Sequence, residues 1–582
     1  MKARSLAGVA LSLALVTATR AATNSWTDGS SKWEMSTNWS LGVAPGTNGQ
    51  SLILITNVGN NTVTIDAFTT NTPGTMVISN LTLGANKLSL NNAGSNVPLR
   101  ILDRLVLTNN ASLLISNSAL QVGGPLQIDT STASFSSGTT VLSSNLLIGT
   151  SGTATSVVDI LSGTTLVATN GTIGIGNNGT VTGGGGRARM TVGSNGTLLA
   201  TTIYLGNSTN NQSDLIIAAG GTVQSSGSTS CLFVDNSLGT ELLGNWDWHN
   251  GSLQVADTGP SDYDIAVGAM FAAVDVFVGY SDTGTLTMEG GVANISSRLI
   301  VGYLGSPVVS TGTVSITGGQ VAVSGDTYIG NDGVGQMNIS GSAVMAATDV
   351  IVANSSNPGT LTVAGGIMNV YDSLTVGDCG AGHVGAVAVT GGFLFVTNAA
   401  HNGTLTVRNG TLTLNSGQLK VDQFVMTDSC ASFVRNGGTL IYGSATLDPA
   451  RDDDGDGIPN GYEQAHGLDP LNAVDARLDN DGDGFSNLQE YQAGTNPNDA
   501  NDTPFRITAV ARENNNVRIT WRTVAGTTNA LQVTSGISGN FNSSGFADSF
   551  TVNPVVGTTT NYLDIGGATS GSTRYYRVRL VP

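Results

Sequence analysis

One phrase is rewritten along the middle of the chain, and it limits the fold more than any other feature. Gly284-Thr285-Leu286-Thr287-Met288-Glu289-Gly290-Gly291 returns, with changes, at 312–319, 335–341, 359–366, 385–392 and 403–410. A second phrase, strand formers followed by Gly, runs between the copies as Phe277-Val278-Gly279, Ile300-Val301-Gly302, Tyr328-Ile329-Gly330 and Thr375-Val376-Gly377, with Ala353 once in the Gly slot. The step is about 23 to 28 residues. Within each copy, apolar and small polar residues alternate, so Leu286 and Met288 face one way and Thr285 and Thr287 the other. A strand of four or five residues cannot bury such a face alone, but stacked copies share one continuous core. The pattern predicts an all-β chain built on a parallel β-helix. A row of β-sandwich domains, the other arrangement of regular short strands, needs a longer unit than this one.

Composition agrees with a solenoid. The 582 residues exceed one ordinary globular domain, and a solenoid grows by adding coils that touch only their neighbours. Gly contributes 78 residues and charged side chains only 11 %, while strict alternation argues against disorder. The formal charge of −18 disfavours nucleic acid and anionic membrane as partners, because both require a basic face.

Taken in order, residues 1–22 have Lys2 and Arg4, an apolar run from Leu6 to Val16 and then small residues. This is the pattern of a secretory signal peptide and predicts an exported protein with no integral membrane segment in the mature chain. Residues 23–60 hold Trp26, Trp33 and Trp39, half of the six Trp. An open first coil needs covering, so these rings are expected to cap it; a platform for sugar rings is the alternative. Residues 61–447 are read as the coils. The Gly-Thr-Leu-Thr-Val-x-Gly-Gly phrases, after the Trp-rich Asn38-Trp39-Ser40 segment, resemble the repeats of autotransporter-like passenger proteins over residues 24–447. The membrane β-barrel that ends such proteins has no counterpart after the coils.

The three cysteines are widely spaced. Cys379 and Cys430 lie 51 residues apart, about two coils, which in register places their Cα atoms about 10 Å apart, beyond disulfide reach. Buried small hydrophobes are the expectation. For catalysis, the strongest candidates lie in Asn245-Trp246-Asp247-Trp248-His249 and the nearby Asp262-Tyr263-Asp264, which read as an irregular insertion. Asp247, His249, Asp262 and Asp264 would supply the carboxylates and imidazole of a polysaccharide lyase or glycosidase, and Trp246 and Trp248 a carbohydrate-binding surface. A bulged coil with packed Trp rings is the bland alternative. No set of charged residues recurs at the coil period, so the chain reads as a scaffold more readily than as an enzyme.

Residues 448–503 break with everything before them. Asp452-Asp-Asp-Gly-Asp-Gly-Ile-Pro-Asn-Gly-Tyr-Glu463 recurs 27 residues later as Asp479-Asn-Asp-Gly-Asp-Gly-Phe-Ser-Asn-Leu-Gln-Glu490. Each copy has acids at positions 1, 3 and 5, Gly at 6 and Glu at 12, which is calcium-loop spacing. The expected ligands are Asp452, Asp454, Asp456, the carbonyl of Ile458, Asn460 through water, and Glu463; then Asp479, Asp481, Asp483, the carbonyl of Phe485, Asn487 and Glu490. Residues 452–502 hold 13 acids against Arg477, so they carry −12 of the −18 and need a cation. The shared Glu-x3-Gly-x-Asp/Asn-Pro continuation resembles the thrombospondin type-3-like repeat of secreted bacterial proteins, which implies calcium. An EF-hand differs in having a helix before the loop; a dockerin pair, which would imply a cohesin partner, favours Asp at position 12.

Residues 504–582 alternate again, at Val517–Trp521, Ala530–Thr534, Asn561–Asp564 and Tyr575–Val581. They predict a small β-sandwich and resemble a fibronectin type III module. Together these features describe an exported surface or matrix scaffold of adhesin type, with extracellular polysaccharide or cell-surface components as the expected partners.

Overall fold

The computed structural model describes residues 22–46, 52–70, 76–151, 154–177, 185–206, 213–225, 230–234, 240–242, 245–248, 251–255, 261–305, 308–523, 528–537, 540–541, 545–552, 559–569 and 573–581. The chain divides into two compact units, one running to residue 445 without 432–435, the other made of 432–435 and 446–582.

The first unit is a parallel β-solenoid of about 14 turns. In its regular region each coil contributes one strand to each of three columns. One column runs through Thr283–Met288, Thr311–Ile316, Val334–Ile339, Gly359–Val363 and Gly385–Val389, each paired in parallel with the next. The alternation is read as expected: Leu286, Val314, Met337, Leu361 and Val387 share one register and are all buried. The intervening Thr and Ser positions are less buried, so every second residue extends the core through the stack.

Glycine has a specific task at one corner. Gly284, Gly312, Gly335, Gly359, Gly385 and Gly410 stack in register. A Cβ on Gly335 would lie 2.0 Å from the amide nitrogen of Gly330 and 2.5 Å from the carbonyl of Val301, both backbone atoms that cannot move aside. Gly330 itself turns with φ of +77°, and Ala353 takes the same slot with φ of +63°. The two recurring glycine phrases are therefore the two sides of one tight corner.

The ladder begins at Thr23–Ser25, which pairs in parallel with Leu52–Leu54. Trp26, Trp33 and Trp39 thus belong to the first coil rather than preceding the coils. All three are buried, packed edge to face at 4.9–5.0 Å, and each indole N–H donates to a carbonyl, of Gly29, Pro45 and Trp33 respectively. Rings enclosed in this way offer no face to a sugar.

The cysteine expectation is overturned: Cys379 and Cys430 form a disulfide with Cα atoms 5.7 Å apart. The in-register estimate assumed corners of equal length. Between the two cysteines lies a short turn at Arg408-Asn409, whereas Cys379 sits in the wider turn closed by the Asp378–His383 pair. The longer turns reach across the short one, and Arg408 spans the same gap with ion pairs to Asp378 (3.2 Å) and Asp428 (3.3 Å).

In the second unit, the two acidic loops are followed by two antiparallel sheets. One joins Ile507–Glu513, Asn516–Arg522 and Thr559–Asp564; in the other, Thr528–Ile537 pairs with Asn540–Phe541, Ala547–Val552 and Thr573–Val581. Ile519 and Trp521 from the first sheet and Leu531 from the second share one buried cluster with Phe550, Tyr562 and Val578, which makes the arrangement a sandwich. Trp521 donates to Asn529 Oδ1 at 2.9 Å within it.

Candidate metal centre

Each acidic loop is shaped by its own carboxylates. Asp452 Oδ1 accepts from the amides of Gly455 (2.8 Å) and Asp456 (3.2 Å), and its Oδ2 from Gly457 (2.9 Å). Asp454 Oδ1 accepts from Asp456 N and Asp456 Oδ1 from Ile458 N. These bonds leave one oxygen over on Asp454 and one on Asp456. Asp454 Oδ2 and Asp456 Oδ2 are buried with no hydrogen-bond partner, and one oxygen each of Asp452, Asp454 and Asp456 lie within 4.8 Å of one another. Gly455 and Gly457, with φ of +77° and +95°, allow the chain to coil this tightly.

The second loop repeats the wiring bond for bond. Asp479 accepts from Gly482, Asp483 and Gly484, Asp481 from Asp483, and Asp483 from Phe485, over 2.8–3.1 Å. Asp481 Oδ2 and Asp483 Oδ2 are the buried, unpartnered oxygens, and Asp479, Asp481 and Asp483 form the matching cluster.

A short helix after each loop brings back the glutamate. Asn460–His466 and Asn487–Ala493 each end at a left-handed Gly, Gly467 or Gly494, and a Ser486–Gln489 capping box starts the second. Glu463 and Glu490 are fully buried; both oxygens of Glu463 and Oε2 of Glu490 have no hydrogen-bond partner. Burial, reinforced by Asp454, Asp456 and Asp475, pushes Glu463 up to about 9. Burial and then Asp456 push Asp454 up to about 7, and burial with Asp481 and Asp483 does the same to Glu490. Acids whose charge is disfavoured by burial and by one another call for a cation: the donor set is all oxygen, acidic and convergent, which suits a hard divalent ion such as calcium.

The two asparagines at position 9 are placed differently. Asn460 Nδ2 donates to Asp448 O (2.8 Å) and Asp453 Oδ2 (2.7 Å), and its oxygen accepts from Asp453 N. With both amide hydrogens and the oxygen engaged by protein, Asn460 braces the loop and is not set up as the water-bridged ligand expected of it. Asn487 donates likewise, to Asp475 O (2.7 Å) and Asn480 Oδ1 (3.3 Å). Its own Oδ1, however, is buried with no hydrogen-bond partner, so unlike Asn460 it keeps an oxygen for the ligand role expected of it. Arg451 pairs with the buried Asp453 at 2.7 Å, so that position-2 acid is neutralised within the protein.

One residue was missed by spacing. Asp475, from the 3-10 turn Asp475–Arg477 between the loops, is buried, and its Oδ1 has no hydrogen-bond partner. Oxygens of Asp456, Glu463 and Asp475 lie within 4.8 Å of one another. Its only sequence signal is its place twelve residues after Glu463, outside the twelve-residue loop. The loops also pack together: Ile458, Leu468 and Ala476 form a core with Tyr462, Leu488 and Tyr491, and Tyr462 donates to Thr495 O at 2.9 Å.

The described strands of the segment read as an irregular insertion keep the register of the ladder. Asn245–Trp248 lies in parallel register between Thr222–Gln224 and Met270–Ala273, and Ser261–Ile265 between Thr240–Leu242 and Gly284–Met288. Trp246 takes the register position of buried Val223 and Phe271, so tryptophan concealed an ordinary coil period. Asp247 falls in one column, while Asp262 and Asp264 fall in another, on either side of buried Tyr263. The ladder does not bring these carboxylates to a common column; His249 lies outside the described residues.

Among the described residues, no helix is long and apolar enough to cross a membrane. No curated protein and no solved structure matches the chain. Residues 452–473 and 479–500, the two loops with their helices and Gly-x-Asp/Asn-Pro turns, match the family model of the bacterial TSP3 repeat, a calcium-binding type.

Proposed function

We propose that this chain is an exported bacterial scaffold protein of the cell surface or extracellular matrix, in which a calcium-filled module stiffens the chain beyond a β-solenoid. The observation that supports it most is the pair of acidic loops with buried, unpartnered carboxylate oxygens, a state that a cytosol poor in calcium would leave unfilled. Asp452, Asp454, Asp456, Glu463 and the carbonyl of Ile458 would hold one ion, and Asp479, Asp481, Asp483, Glu490 and the carbonyl of Phe485 the other. Extracellular calcium modules commonly have dissociation constants of about 10⁻⁴ to 10⁻³ M, so the ions stay bound outside a cell. The solenoid presents rows of Thr, Ser and Asn to solvent, and the terminal sandwich, which we read as fibronectin type III-like, supplies a further surface. Adhesive contact with polysaccharide or with other cell-surface components fits such rows.

Expression of the full chain in a bacterial host tests this reading. Cleavage near Ala22 with the product on the surface or in the medium supports it, as does retention on cells or glycans that calcium strengthens. An uncleaved chain confined to the cytoplasm refutes it. A depolymerisation screen separates the scaffold from the lyase or glycosidase reading, since product formation abolished by His249→Ala would establish an enzyme.

A further inference from the structure

The two loops have the same wiring but not the same surroundings. Asp475 and Asp502 stand twelve residues after Glu463 and Glu490, and both use Oδ2 to accept a backbone amide, of Asp469 (2.7 Å) and Asn496 (3.2 Å). Their other oxygens diverge. Asp475 Oδ1 is buried, without a hydrogen-bond partner, and grouped with Asp456 and Glu463. Asp502 Oδ1 is held by Arg522 Nη2 at 2.7 Å, from the first sheet of the sandwich. Asp475 also reaches the second loop, because its carbonyl accepts from Asn487 Nδ2.

We propose that Asp475 is a fifth carboxylate of the first centre, that Arg522 diverts its counterpart from the second, and that the first loop therefore fills with calcium first and braces the second through Asn487. This rests on the calcium reading above. A ligand set of five carboxylates attracts a dication more strongly than one of four, and ligand charge count is a main control of affinity in such loops. A cation on the Asp475 carboxylate fixes the turn Asp475–Arg477, and with it the carbonyl to which Asn487 is tied. Order then passes from the first loop to the second through Asn487, beside the core that the two loops share.

The test is a calcium titration of the calcium-stripped full chain by isothermal calorimetry, alongside Asp475→Asn and Asp502→Asn. The amide in Asp475→Asn keeps an acceptor for the Asp469 N–H. Two binding events at least tenfold apart are expected. Asp475→Asn should weaken the tighter event at least tenfold, and Asp502→Asn should leave it within about threefold. Two indistinguishable events, or equal effects of the two substitutions, overturn the proposal while leaving calcium binding intact; no binding by the unaltered chain removes the calcium reading itself. Hydrogen exchange of the unaltered chain during the titration gives a second measure that no variant can confuse. Protection over 452–463 should appear at lower calcium than protection over 479–490, and simultaneous or reversed onset contradicts the proposal.

Discussion

Replacing Glu463 by Gln should have opposite consequences with and without calcium. Without a cation, burial and the neighbouring Asp454, Asp456 and Asp475 push Glu463 up to about 9, so at pH 8 it is mostly a neutral acid. Gln has nearly the same shape and no charge. The stripped variant should then be as stable as the parent, or slightly more so. With calcium, the substitution removes a fully buried anionic ligand. Deleting one partner of a buried charge pair costs about 3 kcal/mol or more, which corresponds to roughly a hundredfold in affinity. If the parent site binds with a constant of about 10⁻⁴ M, 10 mM calcium stabilises it by about 2.7 kcal/mol. A site a hundredfold weaker gains only about 0.4 kcal/mol by the same relation. The difference, about 2.3 kcal/mol, should lower the melting temperature of the second unit by about 10 °C. Thermal unfolding followed by near-ultraviolet circular dichroism, in chelator and in 10 mM calcium, reads both numbers. An equal fall in melting temperature under both conditions would refute the reasoning, because Glu463 would then be a packing residue and not a ligand.

Other predictions concern the bracing, the pH response and the solenoid. Asn460→Ala should lower stability by about 1–3 kcal/mol with and without calcium, since it strands the buried Asp453 and the Asp448 carbonyl; chemical denaturation measures this. In chelator the second unit should lose stability as pH rises. Asp454, Glu463 and Glu490 are raised above the ordinary carboxylate range, so their contribution is complete below about pH 4 and is lost as pH rises through about 7 to 9. Calcium should flatten that slope, and melting temperature against pH shows either result. Gly335→Ala should open the solenoid locally, because the added Cβ meets two backbone atoms within 2.5 Å; new protease cleavage near residues 330–340 is the expected sign. Peptide mapping without reduction should recover Cys379 linked to Cys430.

The solenoid was legible because its information is periodic. A buried residue at every second position and glycine at one corner of the coil repeat often enough to specify register, and Leu286, Val314 and Met337 stack as their spacing implies. The twelve-residue loops were legible for a related reason, as local turn geometry dictates which side chains converge. What escaped the sequence depended on contacts between segments without a shared period. Corner lengths differ, so two cysteines placed out of reach by coil counting meet across Arg408. Trp246 and Trp248 altered composition, which suggested an interruption where the strand Asn245–Trp248 in fact pairs in register with its neighbours. Asp475 lies outside the loop motif, and only the fold turns its carboxylate toward Glu463. Nor could spacing show that Arg522, in the sandwich, occupies Asp502.

The central claim is that calcium orders the acidic module and leaves the solenoid alone. Limited proteolysis of the full chain, with cleavage sites mapped by mass spectrometry in calcium and in excess chelator, tests it most directly. The account predicts that chelation exposes new sites between Leu447 and Thr503 while cleavage within the coils stays the same. Identical maps under the two conditions, or new cleavage spread through the coils, would contradict it.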